Sequence, residues 1–194
     1  MAKQKVNICW FRRDLRLHDN AALYHALKSE LPVVPVFIFD RAILDLLEDK
    51  KDRRVEFIHH AIEEMQQQLI ALDSSMEVYE GFPKDVFKML STKYDVQAIY
   101  TNHDYEPYAQ ERDAAIQKQL NEVGIVFHTY KDQVIFEKDE VLKDDGKPYT
   151  IFTPYSKKWK AKLDASYLKS YPTKKQFSRF FQQPAQAIPT LEEM

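Results

Sequence analysis

Glycine is scarce: Gly81, Gly124 and Gly146 are the only three in 194 residues. They assemble neither a G-x-G-x-x-G turn nor a G-x-x-x-x-G-K-[ST] loop, so backbone amides have no ready way to cradle phosphates. A nicotinamide dehydrogenase and a P-loop ATPase are both disfavoured. Cysteine is scarcer still, with Cys9 alone. An internal disulfide and a C-x-x-C zinc pair are therefore excluded, and a reducing compartment is compatible with the chain. Cys9 lies in an apolar run and reads as a buried residue. No G-x-S-x-G elbow surrounds any serine, which leaves nucleophilic hydrolysis unsupported. Long hydrophobic runs are missing as well. The longest, Leu31 to Phe39, has nine residues and two prolines, too short to cross a bilayer. At the amino terminus, Val6 to Trp10 runs straight into Arg12 and Arg13, unlike a secretory signal. A cytoplasmic protein without a membrane segment is expected.

What is present fits a packed globular domain. Apolar residues make up 44% and charged residues 30%, close to the soluble average and far from a disordered profile. The length suits one domain, or one domain and a tail. The net charge of −2 hides an asymmetry: residues 153–194 carry eight Lys or Arg against three Asp or Glu, so the rest of the chain holds −7. Such a basic end can face nucleic acid, but scattered charges on a terminal helix more often form a solvated face.

Short β-rich runs alternate with longer stretches of helical period, the pattern of βαβ units around a parallel sheet. Strands are expected at Val6–Trp10, Val33–Phe39, Met76–Tyr79, Ala98–Thr101 and Ile125–Thr129. Helices are expected at Asn20–Lys28 behind an Asp19 cap and at Arg53–Leu72, where Val55, Ile58, Ile62, Met65 and Leu69 share one face. Pro83 and Pro107 open helices to about Lys93 and Val123, and Thr153 caps a last one that Pro154 opens and that runs to about Lys169. Right-handed crossovers then make a doubly wound, five-stranded parallel α/β sheet of order 3-2-1-4-5 the simplest topology. Residues 1–169 form the domain. Beyond Ser170, Pro172, Pro184 and Pro189 with Gln-rich spacing read as the start of a linker, residues 170–194.

Ligands of such sheets gather beyond the carboxyl ends of the strands. Arg12, Arg13, Asp14 and Arg16 follow the first strand, Asp40 and Arg41 the second, and His103 to Glu106 the fourth. This edge suits a planar, polar molecule. Two readings of the arginine loop stand side by side: Arg12 or Arg16 fixes the loop by pairing with Asp14, Asp19 or Asp104, or the arginines face a ligand or a neighbouring domain. Glu106 likewise sits before Pro107 at a helix start, where a carboxylate is favoured by the helix dipole alone. His59–His60 is the only tempting metal pair. Adjacent helical residues point about 100° apart, so no metal site is expected there.

Trp10-Phe11-Arg12-Arg13-Asp14-Leu15-Arg16-Leu17-His18-Asp19-Asn20 closely resembles the amino-terminal signature of the DNA photolyase and cryptochrome family. Three further stretches follow at family-like distances: Val36 to Asp40, Tyr105 to Asp113, and Gly146 to Tyr155 with Trp159. The resemblance spans roughly residues 6 to 165. It implies the amino-terminal antenna domain of a deoxyribodipyrimidine photolyase, joined by a linker to a helical domain that binds FAD and UV-damaged DNA; these 194 residues do not include that second domain. On this resemblance the intact, monomeric protein is a light-driven lyase that splits cyclobutane pyrimidine dimers, and the fragment by itself holds no catalytic residue. The base to be repaired is flipped from the duplex, at a cost that a strained lesion lowers.

The resemblance to deazaflavin-binding members is the closer one and implies an antenna pocket lined by Phe37, Ile38, Phe39, Arg54, Asp104 and Glu106. Folate-binding bacterial members carry an Asn-Glu pair where this chain has Tyr108 and Ala109, so deazaflavin is favoured over methenyltetrahydrofolate; a flavin antenna or none are the alternatives. Two rivals remain. A cryptochrome photoreceptor has the same front half without repair activity, and a stand-alone nucleotide-binding α/β protein is opposed by the missing phosphate loop.

Overall fold

Five runs rich in Val, Ile, Phe and Tyr become strands, because β-branched and aromatic side chains pack well on a pleated surface covered on both faces. The computed structural model of the chain describes residues 3–49 and 52–192. The strands are β1 (Lys5–Phe11), β2 (Val33–Asp40), β3 (Glu77–Gly81), β4 (Asp95–Asn102) and β5 (Val126–Tyr130). Every pairing is parallel and the order is β3-β2-β1-β4-β5. The expected doubly wound sheet is what the chain forms.

Helices cover both faces. On one, α1 (Ala21–Lys28) and α3 (Arg53–Ile70) press Leu23, Leu27, Ile62, Met65 and Leu69 onto Phe37 and Phe39. On the other, α4 (Pro83–Lys93) and α5 (Pro107–Glu122) press Phe87, Leu90, Ile116 and Leu120 onto Ile8, Trp10, Val36 and Ile38. Burying each such side chain contributes about 1.5–3 kcal/mol, so the two layers hold the sheet rigid and its carboxyl edge in register. Pro83 and Pro107 open their helices as expected, at a position where a missing N–H costs nothing. At the far end of α5, Gly124 takes φ 76°, a left-handed closure that glycine adopts without strain.

Three helix starts differ from the sequence reading. Asn20, not Asp19, caps α1: its side chain accepts from the Leu23 N–H at 3.0 Å. Asp19 instead adopts φ 49° and accepts the Tyr171 N–H at 2.8 Å. A short α2 (Arg41–Leu44), capped by Asp40, was not expected. The last helix, α6 (Phe152–Lys162), begins before Thr153 and stops well short of Lys169. Pro154 falls at its third position, still in the first turn, where helical N–H groups lack partners anyway.

The stretch expected to begin a linker lies against the domain. Thr173 donates its hydroxyl to the Leu17 carbonyl at 2.7 Å, and a 3-10 turn over Thr173–Arg179 leads to Phe180, which is buried in the α1–α3 layer. The Phe181 N–H then bonds the Val33 carbonyl at 2.8 Å at the amino edge of the sheet. Beyond it the chain turns along α3, where the Gln66 amide donates to the Gln186 carbonyl at 2.9 Å and the His59 ring meets the Pro189 carbonyl. Among the described residues no helix is long and apolar enough to cross a membrane.

Candidate functional site

Where β1 and β4 part at the carboxyl edge, the helices that follow them lie on opposite faces of the sheet, and a crevice of about 350 Å³ opens there. Its floor is the end of β2, Phe37 to Asp40, with Trp10 of β1 beside it. One wall is apolar, built by Ile43 and Leu44 of α2, Leu47, and Val55 and Ile58 of α3. The opposite wall is charged, built by Arg12 and Arg13 after β1, Asp104 and Glu106 after β4, and Tyr108 and Arg112 on α5. All six residues expected around an antenna pocket line this one crevice: Phe37, Ile38, Phe39, Arg54, Asp104 and Glu106.

The charges are ordered in pairs. Arg13 reaches Glu106 at 2.6 Å and Asp104 at 3.5 Å, and its hydrogen bond to Glu106 raises its pKa further. Arg12 grips Asp113 with both carboxylate oxygens, at 2.8 and 2.7 Å, and donates to the Asn102 carbonyl. Arg112 bonds Asp113 at 3.0 Å and approaches Asp40 at 3.4 Å. Asp40 is buried and also accepts the Tyr108 hydroxyl at 2.7 Å. Burial, and then that bond, push the Tyr108 phenol up to about 12. At the mouth the exposed Arg54 folds back on Asp52, 2.5 Å away, and this contact lowers the Asp52 carboxyl to about 2. Surface pairs of this kind are worth little in stability, which leaves the Arg54 guanidinium able to turn toward a ligand.

Trp10 is the one polar group of the floor without a partner. The Arg12 and Arg112 guanidinium groups lie 4.8 and 4.9 Å from its ring centroid, Phe87 meets it edge-on at 5.1 Å, and its buried Nε1–H has no hydrogen-bond acceptor. A buried unpaired donor costs about 1–3 kcal/mol.

The arginine loop divides between the two readings. Asp14 turns inward and accepts from the Arg12 N–H at 2.8 Å, Asn20 Nδ2 at 2.9 Å and Asn102 Nδ2 at 2.6 Å. Arg16 leaves the crevice to bond Asp132 at 2.9 Å and the Asp19 carbonyl at 2.5 Å. Only Arg12 and Arg13 remain on the crevice side. Sequence reasoning missed Trp10, Tyr108 and Arg112 as wall residues. For two of them a signal was present: Tyr108 and Arg112 are four apart and share a helix face. Cys9 is fully buried, which pushes its thiol pKa up and removes it as a nucleophile.

The fold defines a domain of the doubly wound α/β class, with a crevice at the carboxyl edge of its sheet. The chain belongs to the DNA photolyase family, whose model matches residues 7–176. It is 33% identical over 80% of its length to an uncharacterized 31.6 kDa protein in the atpI 5′ region of Synechococcus sp. PCC 6716, covering 55% of that protein. Similarity to the deoxyribodipyrimidine photo-lyase of Synechococcus sp. PCC 6301 is 32% over 78% of the chain and 31% of the relative. Cryptochrome-1 of Erithacus rubecula is 31% identical over 71% of the chain and 22% of its own length. The chain thus spans about half, or less, of these relatives. Among solved structures, a class III photolyase of Agrobacterium tumefaciens shares the fold over 99% of this chain and 38% of its own, with a TM-score of 0.80 at 23% identity. The archaeal photolyase of Sulfolobus tokodaii, described with two FAD molecules, matches 68% of the chain and 30% of its own at 36% identity and a TM-score of 0.62.

Proposed function

We propose that the chain is the light-gathering domain of a photolyase that splits cyclobutane pyrimidine dimers, and that the crevice seats a deazaflavin-type antenna chromophore. The observation that carries this reading is the convergence of Phe37, Ile38, Phe39, Arg54, Asp104 and Glu106, from three separate segments, on one apolar crevice. The volume lies at the lower end of the range for small-molecule sites, which suits one fused ring system.

Each residue has a task. Phe37, Ile38 and Phe39 with Leu44, Val55 and Ile58 exclude water from a flat ring. Arg54 and Arg13 meet anionic substituents at the mouth, and Asp104 and Glu106 hold Arg13 in place while accepting from ring hydroxyls or N–H groups. Asp40 fixes Arg112 and Tyr108, so the charged wall keeps its shape whether or not a ligand is present. When bound, the antenna supplies excitation by near-UV or blue light to an FAD held in a helical domain outside these residues. Repair of UV-damaged DNA, a cytoplasmic location and a monomeric state belong to the same proposal, with the domain occupying residues 1–169.

The test is a titration with deazaflavin followed by absorbance and fluorescence. Micromolar or tighter binding is expected, weakened by Arg54→Ala and by Glu106→Ala. Unchanged titration in both variants removes the assigned pocket. FAD and methenyltetrahydrofolate are titrated alongside, because the Sulfolobus tokodaii structure is described as implying a novel light-harvesting cofactor. A second reading, a cryptochrome photoreceptor, draws on the likeness to Erithacus rubecula cryptochrome-1. Full-length protein that binds FAD yet leaves dimers intact under blue light would favour it.

A further inference from the structure

On α3, beside the segment that carries Pro189, two imidazoles and a carboxylate gather around one point. Single ligand atoms from His59, His60 and Glu63 all lie within 4.8 Å of one another. The neighbouring histidines diverge, as adjacent helical residues must, but Glu63 is four residues after His59 and three after His60, so its carboxylate faces both. Glu63 Oε2 is 2.9 Å from His60 Nδ1, and Oε1 is 3.6 Å from His59 Nδ1.

The tautomer of His59 makes this arrangement informative. Its Nε2 lies 2.9 Å from the Pro189 carbonyl, an oxygen that only accepts, so Nε2 carries the hydrogen. In the neutral ring Nδ1 is then a bare lone pair, and it points at a carboxylate that is also an acceptor. Only a cation between them, a proton or a metal, removes that opposition. A backbone carbonyl holding the far nitrogen is also how metal-ligating imidazoles are commonly oriented. His59 is buried and stacked on Phe39 at 6.3 Å, which fixes its direction, whereas His60 is exposed and Glu63 half-buried, so both have room to adjust.

We propose that His59 Nδ1, His60 Nδ1 and the Glu63 carboxylate bind one divalent transition-metal ion of the zinc, nickel and copper class, with water completing its shell. Imidazole and carboxylate donors suit these ions. Zinc–nitrogen bonds of about 2.0–2.1 Å set tetrahedral donor atoms about 3.4 Å apart. The widest spacing therefore closes by about 1.4 Å, a movement that the His60 and Glu63 side chains supply. The ion would also lock the ring that holds Pro189, tying the carboxyl-terminal segment to α3.

The test uses tag-free protein and the metals alone. Zn²⁺ titrated by calorimetry is expected to bind at one equivalent with micromolar affinity, weakened at least tenfold by His60→Ala and by Glu63→Gln, both outside the buried core and leaving the circular dichroism unchanged. With Cu²⁺, electron paramagnetic resonance is expected to report two nitrogen ligands in the wild type and one in His60→Ala. Affinity weaker than about 0.1 mM, wild-type affinity in both variants, or a copper signal unaltered by His60→Ala would overturn the site.

Discussion

Asp14 offers the sharpest test of how the crevice is supported. Its carboxylate is buried and accepts three hydrogen bonds, from the Arg12 N–H, Asn20 Nδ2 and Asn102 Nδ2. Asn20 and Asn102 are themselves buried, and Asn102 Oδ1 in turn accepts the Ala22 N–H at 2.9 Å. The network thus welds the end of β1, the start of α1 and the end of β4, the three pieces that place Arg12 and Arg13. Asp14→Ala strands two or three donors at about 1–3 kcal/mol each. Two bonds remain to soften the loss, Asn102 Nδ2 to Asn20 Oδ1 at 3.0 Å and Asn20 Nδ2 to the Asp14 carbonyl at 3.2 Å. A net loss of about 3 kcal/mol is expected, or roughly 6–12 °C in Tm for a chain of this size. Asp14→Asn keeps one acceptor oxygen and is expected to lose less. Urea unfolding followed by tryptophan fluorescence measures both. Because the residues act as a unit, Asp14→Ala and Asn102→Ala are expected to be non-additive by 1 kcal/mol or more. A loss below 0.5 kcal/mol for Asp14→Ala, or strict additivity, would refute this reasoning.

Other expectations follow from the same geometry. Phe180→Ala removes a buried ring from the α1–α3 layer and is expected to cost about 3–5 kcal/mol; proteolysis within residues 171–190 should rise with it, and an unchanged digestion pattern would count against the packed segment. The raised phenols of Tyr108 and Tyr130, both pushed up to about 12 chiefly by burial, favour the neutral form in the fold. Their contribution is complete below about pH 10, the ordinary tyrosine value, and is lost as pH rises toward 12. Tyrosine absorbance at 295 nm should therefore titrate late, shifting down in Tyr108→Phe by one late component. Burial tends to raise the Glu137 carboxyl, but hydrogen bonds from His103 and Tyr105 outweigh it and the net shift is downward. Its contribution is present above the ordinary carboxylate range and falls away as pH drops through the lowered value. Glu137→Gln is expected to flatten the acid limb of the stability curve, as a pH series of urea midpoints would reveal.

The architecture was legible because its signals are local. Apolar runs bounded by capping residues and by Pro83 and Pro107 mark the strands and helices, and crossover handedness leaves one simple order, which the sheet adopts. Errors fall where a long-range partner overrides local chemistry. Asp19 looks like a cap, yet Tyr171, distant in sequence, claims its side chain while Asn20 caps α1. The spacing of Pro172, Pro184 and Pro189 beyond Ser170 says nothing of where that segment rests, and Phe180, Gln186 and Pro189 each find a partner on the sheet or α3. Within the crevice, the six expected residues were reached through resemblance. The Arg12–Trp10–Arg112 stack was not, since nothing in the spacing of residues 10, 12 and 112 announces that two cations will flank one indole. Glu63 was overlooked because the histidine pair was judged alone.

Hydrogen exchange with and without deazaflavin tests the central claim most directly. If the crevice is the binding site, slowed exchange should appear together in residues 37–44, 53–58 and 104–112, with the adjoining residues 10–13. Protection confined to the groove formed by residues 131–135 and 166–171, with those three segments unaltered at saturating ligand, would contradict it.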